Sequence, residues 1–283
     1  MKRICLILSI FLIFSNLAAQ EEEKRSAIVE VDGYAFLSED KTIRELRNEA
    51  TVNARREALQ RAQTYIKSFT KVENFTLTYD LIQTEAEGFV KILESKDYGI
   101  TTDGRYRYWI KAEIEYKLKK PEEVTDINPF IEKGGPLTVK VWTEKNTYTR
   151  GENIKICMKG NKDFHARIIY EDARGNIVQL LPNQHRKDNF FKGGEIVTVP
   201  CDDDKFQIEV QPPFGIEQIT VYASNAELGE APVQRYGTDF YSVQGGVKDY
   251  SARTRGVKLD NREETTRGAE FFEAVCKVKT RNK

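Results

Sequence analysis

Residues 101–116, with the sequence TTDGRYRYWIKAEIEY, decide the fold of the first half of the chain. The pair Asp103-Gly104 suits a tight turn, because glycine adopts positive φ without steric cost. After the turn, aromatic and apolar residues take every second position: Tyr106, Tyr108, Ile110, Ala112, Ile114 and Tyr116. The positions between them hold Arg105, Arg107, Trp109, Lys111, Glu113 and Glu115. This period of two predicts a β-hairpin whose second strand has one buried and one polar face.

A strand and a long helix are predicted before the hairpin. Residues 26–37 (SAIVEVDGYAFL) have the composition of a strand, interrupted at Gly33. Ser38, followed by two acidic residues, predicts the cap of a helix that runs to about Phe69. The apolar stripe of that helix includes four alanines: Ala50, Ala54, Ala58 and Ala62. Such small side chains let a helix lie close against a sheet, so residues 26–118 are predicted to form an α/β domain.

The sequence changes character after residue 118. Residues 119–136 combine charges and prolines and end in Gly-Gly-Pro, which predicts a linker. Beyond it, strand-like runs recur between turn residues at 137–143, 153–159, 166–170, 177–181, 195–199, 206–210 and 218–223. This spacing predicts an all-β sandwich over residues 137–228. A tail, residues 229–283, follows the sandwich and is predicted to contain a returning strand at 271–280. The fold class predicted for the whole chain is α+β, with a long helix on a small antiparallel sheet followed by the sandwich.

Residues 1–19 have the three parts of a secretory signal peptide. Lys2 and Arg3 precede an apolar run that ends at Phe14, and small residues lead to a cleavage position after Ala19. The alternative is a transmembrane anchor, but the run is shorter than the ~20 apolar residues that span a bilayer. We therefore expect an exported protein, periplasmic or associated with the outer envelope, with no transmembrane segment in the mature chain.

The composition argues against nucleic-acid binding, catalysis and metal binding. The 44 basic residues are balanced by 44 acidic ones, whereas a protein built around nucleic acid needs excess positive charge, so no nucleic-acid partner is expected. The two histidines, His165 and His185, lie outside any G-x-S-x-G sequence. The acidic run at 202–204 lacks the ligand spacing and glycine of a calcium loop. We expect no catalytic residue, no metal site and no cofactor, and we predict that the protein is not an enzyme.

The cysteines allow two alternatives for disulfide pairing. Cys5 lies in the predicted signal peptide, so the mature chain keeps Cys157, Cys201 and Cys276. In an oxidising compartment this odd number allows one disulfide and one thiol, or no disulfide. Alternation along predicted strands places Cys157 on an outer face and Cys276 on a core face, which argues against a bridge between these two. Isolated thiols are the favoured interpretation.

Several short motifs in the second half carry a resemblance to a known family. They are Tyr148-Thr149-Arg150-Gly151-Glu152, Asp172-Ala173-Arg174-Gly175-Asn176, Leu180-Leu181-Pro182-Asn183, Pro200, Pro213-Phe214-Gly215-Ile216-Glu217 and Thr220-Val221-Tyr222-Ala223-Ser224. Residues 137–225 thereby resemble a bacterial domain of unknown function, a β-sandwich appended to caspase-like, serine/threonine-kinase-like and cell-envelope proteins. This resemblance implies binding, and it brings no catalytic motif that could be placed on numbered positions.

The first half carries a second resemblance. Gly33-Tyr34-Ala35 precedes the alanine-rich helix, and Gly88-Phe89-Val90 opens the hairpin. In these features residues 29–118 resemble the N-terminal domain of the flagellar H-ring assembly protein and of related envelope lipoproteins. The sequence has no lipid-acceptor cysteine at the predicted cleavage position and no flagellar module after the sandwich, so a flagellar role is not inherited.

The function expected from these features is that of an exported bacterial cell-envelope protein acting as a non-catalytic binding or scaffolding module. Its partner would be an envelope protein or an envelope polymer. Binding residues concentrate on loops that a rigid scaffold holds, and the candidates are Pro182, Asn183, His185, Asn189, Pro213, Phe214 and Gly215. The alternatives are a secreted hydrolase that uses His165 or His185, or a flagellar basal-body accessory. The partner's identity and the oligomeric state stay open.

Overall fold

The computed structural model describes residues 24–70, 76–77, 90–116, 118–119, 135–243, 246–256 and 268–283. The predicted signal peptide, and the predicted linker between residues 119 and 135, lie outside these residues. The first elements are β1 (Lys24–Phe36), α1 (Ile43–Thr70), β2 (Thr76–Leu77), β3 (Val90–Ile100), β4 (Arg105–Glu115) and β5 (Leu118–Lys119). Lys119, predicted to begin the linker, therefore lies in a short strand that pairs with β2.

The described residues of the second half form short strands, one helix and a long strand, β16. In chain order they are β6 (Val139–Thr143), β7 (Thr147–Thr149), β8 (Ile156–Gly160), β9 (Phe164–Glu171), β10 (Ile177–Leu181), β11 (Phe190–Phe191), β12 (Val197–Val199), β13 (Ile216–Ser224), β14 (Val233–Tyr236), β15 (Phe240–Val243), α2 (Gly246–Thr254) and β16 (Gly268–Arg281). The α+β fold class predicted from the sequence is confirmed, since the described residues form one long helix and a mostly β second half.

The hairpin of β3 and β4 is confirmed at its turn. Gly104 has a φ of 75°, and its backbone N–H donates to the carbonyl of Thr101 at 3.1 Å. β1 pairs antiparallel with the whole of β4, from Ser26 to Phe36. The predicted interruption at Gly33 is therefore wrong, because Gly33 pairs with Tyr108 within the ladder.

The helix α1 begins later than Ser38. Thr42 is its cap: the Thr42 hydroxyl accepts from the backbone N–H of Glu45 at 3.3 Å, and the Glu45 carboxylate accepts from the Thr42 N–H at 2.8 Å. This reciprocal pair is a capping box, which satisfies two backbone donors at once. Ser38 instead closes a turn, in which its carbonyl accepts from the N–H of Lys41 at 3.2 Å.

The alanine stripe of α1 lies directly on the sheet, as predicted. Ala50, Ala54, Ala58 and Ala62 are all fully buried. The closest approach is at Gly33, where an added Cβ would lie 2.0 Å from the carbonyl oxygen of Ala50 and 2.4 Å from the backbone nitrogen of Ala54. Gly33 is required because only a residue without a side chain lets the helix backbone come this close to β1.

The returning strand is confirmed as β16, and it occupies a central place in the sheet. β16 pairs antiparallel with β1 on one side and with β13 on the other. The main sheet therefore runs in the order β14-β15-β10-β9-β13-β16-β1-β4-β3, with β7 and β11 pairing beside it. Strands from both halves of the chain thus share one sheet.

A smaller sheet completes the sandwich in the second half. Its strand order is β12-β8-β6, and the main core lies between it and the large sheet. The fully buried side chains of this core include Ile156, Met158 and Phe272. The strand predicted at 206–210 is wrong, since this segment forms an isolated bridge from Glu209 to Asn153 and backbone hydrogen bonds with residues 151, 152 and 154, without the continuous ladder of a strand.

The outer face of the large sheet is partly covered by residues 226–231 and 246–256, which we name the cover. Tyr250 in α2 packs with Ile28 and Tyr222 of the sheet and is fully buried. Arg255 places its Nε 2.7 Å from a Glu113 oxygen and donates to Glu273 at 2.6 Å. The face of β4 predicted to be polar is therefore buried at Glu113, where its charge is paired.

The described residues include no helix that is both long and apolar enough to cross a membrane.

Replacing Gly33 with alanine is expected to lower the free energy of unfolding by about 3 kcal/mol, because the new Cβ would overlap the backbone of α1. The matched control is Gly237→Ala. Nothing lies within 4 Å of a Cβ there, and its φ of 63° costs only about 1 kcal/mol for an L-residue. Urea denaturation of both variants measures the difference, and equal losses would contradict the close approach of α1.

Replacing Phe272 with alanine is expected to destabilise both halves together by about 3 to 5 kcal/mol, because this fully buried residue lies on the strand that joins them. Trp109 on β4 and Trp142 on β6 report the two halves separately in variants that keep one tryptophan each. Their fluorescence transitions in urea should coincide and shift together. The control Phe36→Ala, whose ring is 70% exposed, should change stability by no more than about 0.5 kcal/mol. Separate transitions would show that the halves unfold independently.

Candidate binding surfaces

The loop at residues 182–189, a candidate from the sequence, is fixed by a buried asparagine. Asn183 donates from its side-chain amide to the carbonyl of Leu180 at 2.8 Å. Its side-chain oxygen accepts from the backbone N–H groups of His185 and Arg186, both at 2.8 Å. Asn183 is only 1% exposed, so it shapes the loop from within and presents nothing to a partner.

The two histidines have different neighbours. His185 places its Nε2 2.7 Å from an Asp239 oxygen on the surface. His165 approaches the side-chain oxygen of Asn189 at 3.5 Å and packs against the ring of Phe190, with 5.2 Å between ring centroids. In the described part of the chain, no serine, threonine or cysteine side chain bonds to either imidazole. A nucleophile held by a base, which a hydrolytic triad needs, is not assembled there.

The second candidate loop, residues 212–215, lies at the other end of the sandwich. Pro213 follows a cis peptide bond, and Phe214 packs against the core. Gly215 donates its N–H to the Thr280 hydroxyl at 3.1 Å. The loop leads into β13 near Glu171, whereas residues 182–189 lead to Phe190 opposite His165. The structure therefore does not bring the two candidate loops together.

The three described cysteines are thiols. Cys276 is buried on the core side, as predicted, and Cys157 is half-buried, 3.9 Å from the Thr198 hydroxyl. Cys201 lies 3.9 Å from Arg186, whose guanidinium also donates to Asp204 at 3.0 Å. Over the described ranges, no group of three or more histidine, cysteine, aspartate or glutamate side chains could hold a metal ion.

A different surface, on β1, β3 and β4, combines cations with aromatic rings. We name it the arginine–aromatic face, and its residues are Asp32, Tyr34, Phe36, Lys96, Tyr98, Arg105, Arg107 and Trp109. Register places them together: Asp32 pairs with Trp109, Tyr34 with Arg107 and Phe36 with Arg105, and Lys96 pairs with Trp109 from the other side. Directly paired residues point to the same side of a sheet, here the side opposite α1.

The cations of this face lie against its rings. The Arg105 guanidinium is 4.2 Å from the ring centroid of Tyr34. Arg107 and the Lys96 ammonium lie 4.5 and 4.6 Å from the centroid of Tyr98. These distances are typical of cation–π contacts, which hold a cation in place while leaving its hydrogen-bond donors available.

Two carboxylates orient the arginines. Arg107 donates from Nε and Nη2 to the two oxygens of Asp32, at 2.7 and 3.0 Å. This hydrogen bonding raises the pKa of Arg107, so the charge is permanent. Arg105 donates from Nε and Nη2 to Asp103, with 2.8 Å from Nε. In both arginines the bonds to aspartate use Nε and Nη2, so among the described residues they leave the second terminal nitrogen, Nη1, open to a ligand.

The sequence predicts the arginine-bearing face of β4, but only as the polar face of a strand. The alternation R-Y-R-Y-W at residues 105–109 was the available signal. This alternation does not show that Tyr34 on β1 and Tyr98 on β3 lie on the same face as the arginines. Tyr98 reaches the face because a register shift between Asp97 and Gly99 interrupts the alternation of β3, and this bulge cannot be derived from alternation alone.

The pKa of Asp103 is expected to be about 2, because Thr101 and Arg105 hydrogen-bond its ionised form. The folded-state pKa lies below the ordinary value, so the stabilisation is complete above about pH 4 and is lost as the pH falls through about 2. Carboxyl NMR titration measures this pKa. Thr101→Val and Arg105→Gln should each raise it toward the ordinary value, and the distant control Lys187→Gln should not. An ordinary pKa in the unsubstituted protein would contradict the assigned hydrogen bonds.

Comparison with known proteins identifies one part of the chain. Residues 147–227 match the model of DUF4384, a domain of unknown function. The resemblance of the first half to the flagellar H-ring assembly protein has no support in these comparisons. No curated protein and no solved structure matches the chain. The chain therefore contains a DUF4384 domain at residues 147–227, on strands of the sandwich from β7 to β13.

Proposed function

We propose that this protein is an exported bacterial cell-envelope protein that acts as a non-catalytic binding module, with the arginine–aromatic face as its binding surface. The tripartite pattern of residues 1–19 supports export. The resemblance of residues 137–225 to a sandwich appended to envelope proteins supports a location in the cell envelope. The binding surface itself is argued from the geometry of β1, β3 and β4.

The observation that carries the proposal is a set of oriented cations on a rigid sheet. β1 and β4 pair over eleven successive positions, and α1 packs on their reverse side. The guanidinium groups of Arg105 and Arg107 are already positioned by Asp103 and Asp32. A surface organised before binding loses little conformational entropy when a partner arrives, which favours affinity.

The non-catalytic part of the proposal rests on the two histidines. His185 is engaged with Asp239, and His165 lies between Asn189 and Phe190. A general base must be within hydrogen-bond reach of the proton that it removes from a nucleophile. The neighbours of both imidazoles are acceptors or an aromatic ring, which favours a structural role for each.

The test is photo-crosslinking in intact bacterial cells that express the full chain. A benzophenone amino acid replaces Phe36, which is 70% exposed on the arginine–aromatic face, or Ile216, which is 71% exposed at the start of β13. We expect the probe at position 36 to crosslink an envelope component and the control probe at 216 to crosslink none. The recovered protein should begin at Gln20.

Two results would contradict the proposal. Recovery of the protein in the cytoplasm with Met1 retained would contradict the proposed export. Equal crosslinking at positions 36 and 216 in correctly exported protein would contradict the assignment of the arginine–aromatic face as the binding surface.

A further inference from the structure

We infer that the arginine–aromatic face binds an acidic polysaccharide. This inference rests on the proposed function and names the class of its ligand. An open sheet face suits an extended chain better than a compact small molecule, which needs concave walls. The three strands span about 10 Å across, and residues 105–109 span roughly 13 Å along β4, enough for a short segment of a polymer.

The aromatic side chains provide surfaces for sugar rings. Trp109 is half-buried, and Tyr98 and Phe36 are 43% and 70% exposed. Sugar rings present apolar C–H faces, which pack against aromatic rings, and large rings contribute contact area with few rotatable bonds. Exposed aromatic residues on one sheet face are therefore suited to a chain of sugars.

The charge of the face selects an acidic chain. Lys96, Arg105 and Arg107 outnumber the carboxylates of Asp32 and Asp103 by three to two. Among the described residues, the Lys96 ammonium has only the Tyr98 ring as a partner. Its donors and the two arginine Nη1 groups are available to carboxylates along a polymer, and hydrogen bonds between charged groups are stronger than neutral ones.

The edge of the sheet disfavours a peptide that would add as a further strand. β3 is the edge strand beside β4, and its register shifts twice, between Ile92 and Glu94 and between Asp97 and Gly99. Bulges and lysines, such as Lys91 and Lys96, are features that prevent strand addition. A partner is therefore expected to lie on the face and not to extend the sheet.

Charge density disfavours nucleic acid. Each strand of a DNA duplex presents one phosphate about every 3.4 Å along the helix axis, so its binding requires many cations along the path. Here two of the three cations already have carboxylate partners, and the whole chain has no net charge. Carboxylates carried on sugar rings, whose apolar C–H faces can lie against the aromatic side chains, fit the face better.

The test is calorimetric titration of the purified protein with oligogalacturonate and with neutral malto-oligosaccharides of the same length. We expect binding of the acidic sugar, weakened by added salt, and at least tenfold weaker binding of the neutral one. Lys96→Gln combined with Arg105→Gln should weaken oligogalacturonate binding by roughly tenfold, because two charge-assisted contacts are lost. The matched control, Lys187→Gln with Lys192→Gln, removes the same charge from the sandwich and should bind as the unsubstituted protein does.

Equal binding of acidic and neutral sugars, or equal affinities for the two double variants, would overturn the inference. Tighter binding of polyglutamate or of single-stranded DNA would also overturn it and would identify another polymer class. Equal affinity for inorganic polyphosphate would show that charge acts alone and that the rings do not contact sugar. These results leave the export and crosslinking test unaffected: crosslinking at position 36 without oligogalacturonate binding rejects only the ligand class.

Discussion

The pairing of β16 with both β1 and β13 is the interaction on which the rest of the structure depends. Its backbone groups bond to one strand from each half of the chain, so it joins the α1-covered sheet to the sandwich. Its side chains serve both sides of the sheet: Phe272 enters the sandwich core, while Phe271 packs under the cover with Ile28. Without β16, the DUF4384 region and the hairpin would have no common sheet.

The continuous sheet also determines where a binding surface can lie. α1 occupies one side of β1 and β4, so only the other side is available to a partner. On that side the cover reaches Glu113 and the region of Glu94, where Arg255 and Gly256 lie. Lys111 is buried there beside Glu30, at 3.2 Å. The next residues outward on β4, from Trp109 to Arg105, lie beyond the cover and form the arginine–aromatic face.

Elements with strong local signals could be predicted from the sequence. The turn at Gly104, the alternation of β4 and the alanine stripe of α1 each depend on neighbouring residues, and each is present in the structure. The start of α1 was misplaced because Ser38 has an acidic sequence after it, whereas the reciprocal bonds of Thr42 and Glu45 determine the true cap. Gly33 was interpreted as a break, because its reason lies in a helix backbone that is distant in sequence.

The candidate site was beyond prediction for a related reason. Loop residues such as Asn183 and Gly215 have turn-forming sequences that resemble exposed binding loops, yet their polar groups are used within the fold. The arginine–aromatic face requires three strands in a particular register, and a bulge places Tyr98 among them. Interactions of this kind depend on tertiary pairing, which local periodicity does not contain.

The place of β16 in the sheet also affects the order in which the protein can fold. β1 and β13 are synthesised well before Gly268, so the position between them stays vacant until the last strand has left the ribosome. Pairing across almost the whole chain closes a very large loop, and such contacts form late. The strands beside α1 and the strands of the sandwich can therefore share one sheet only once Gly268 and the residues after it are available to pair.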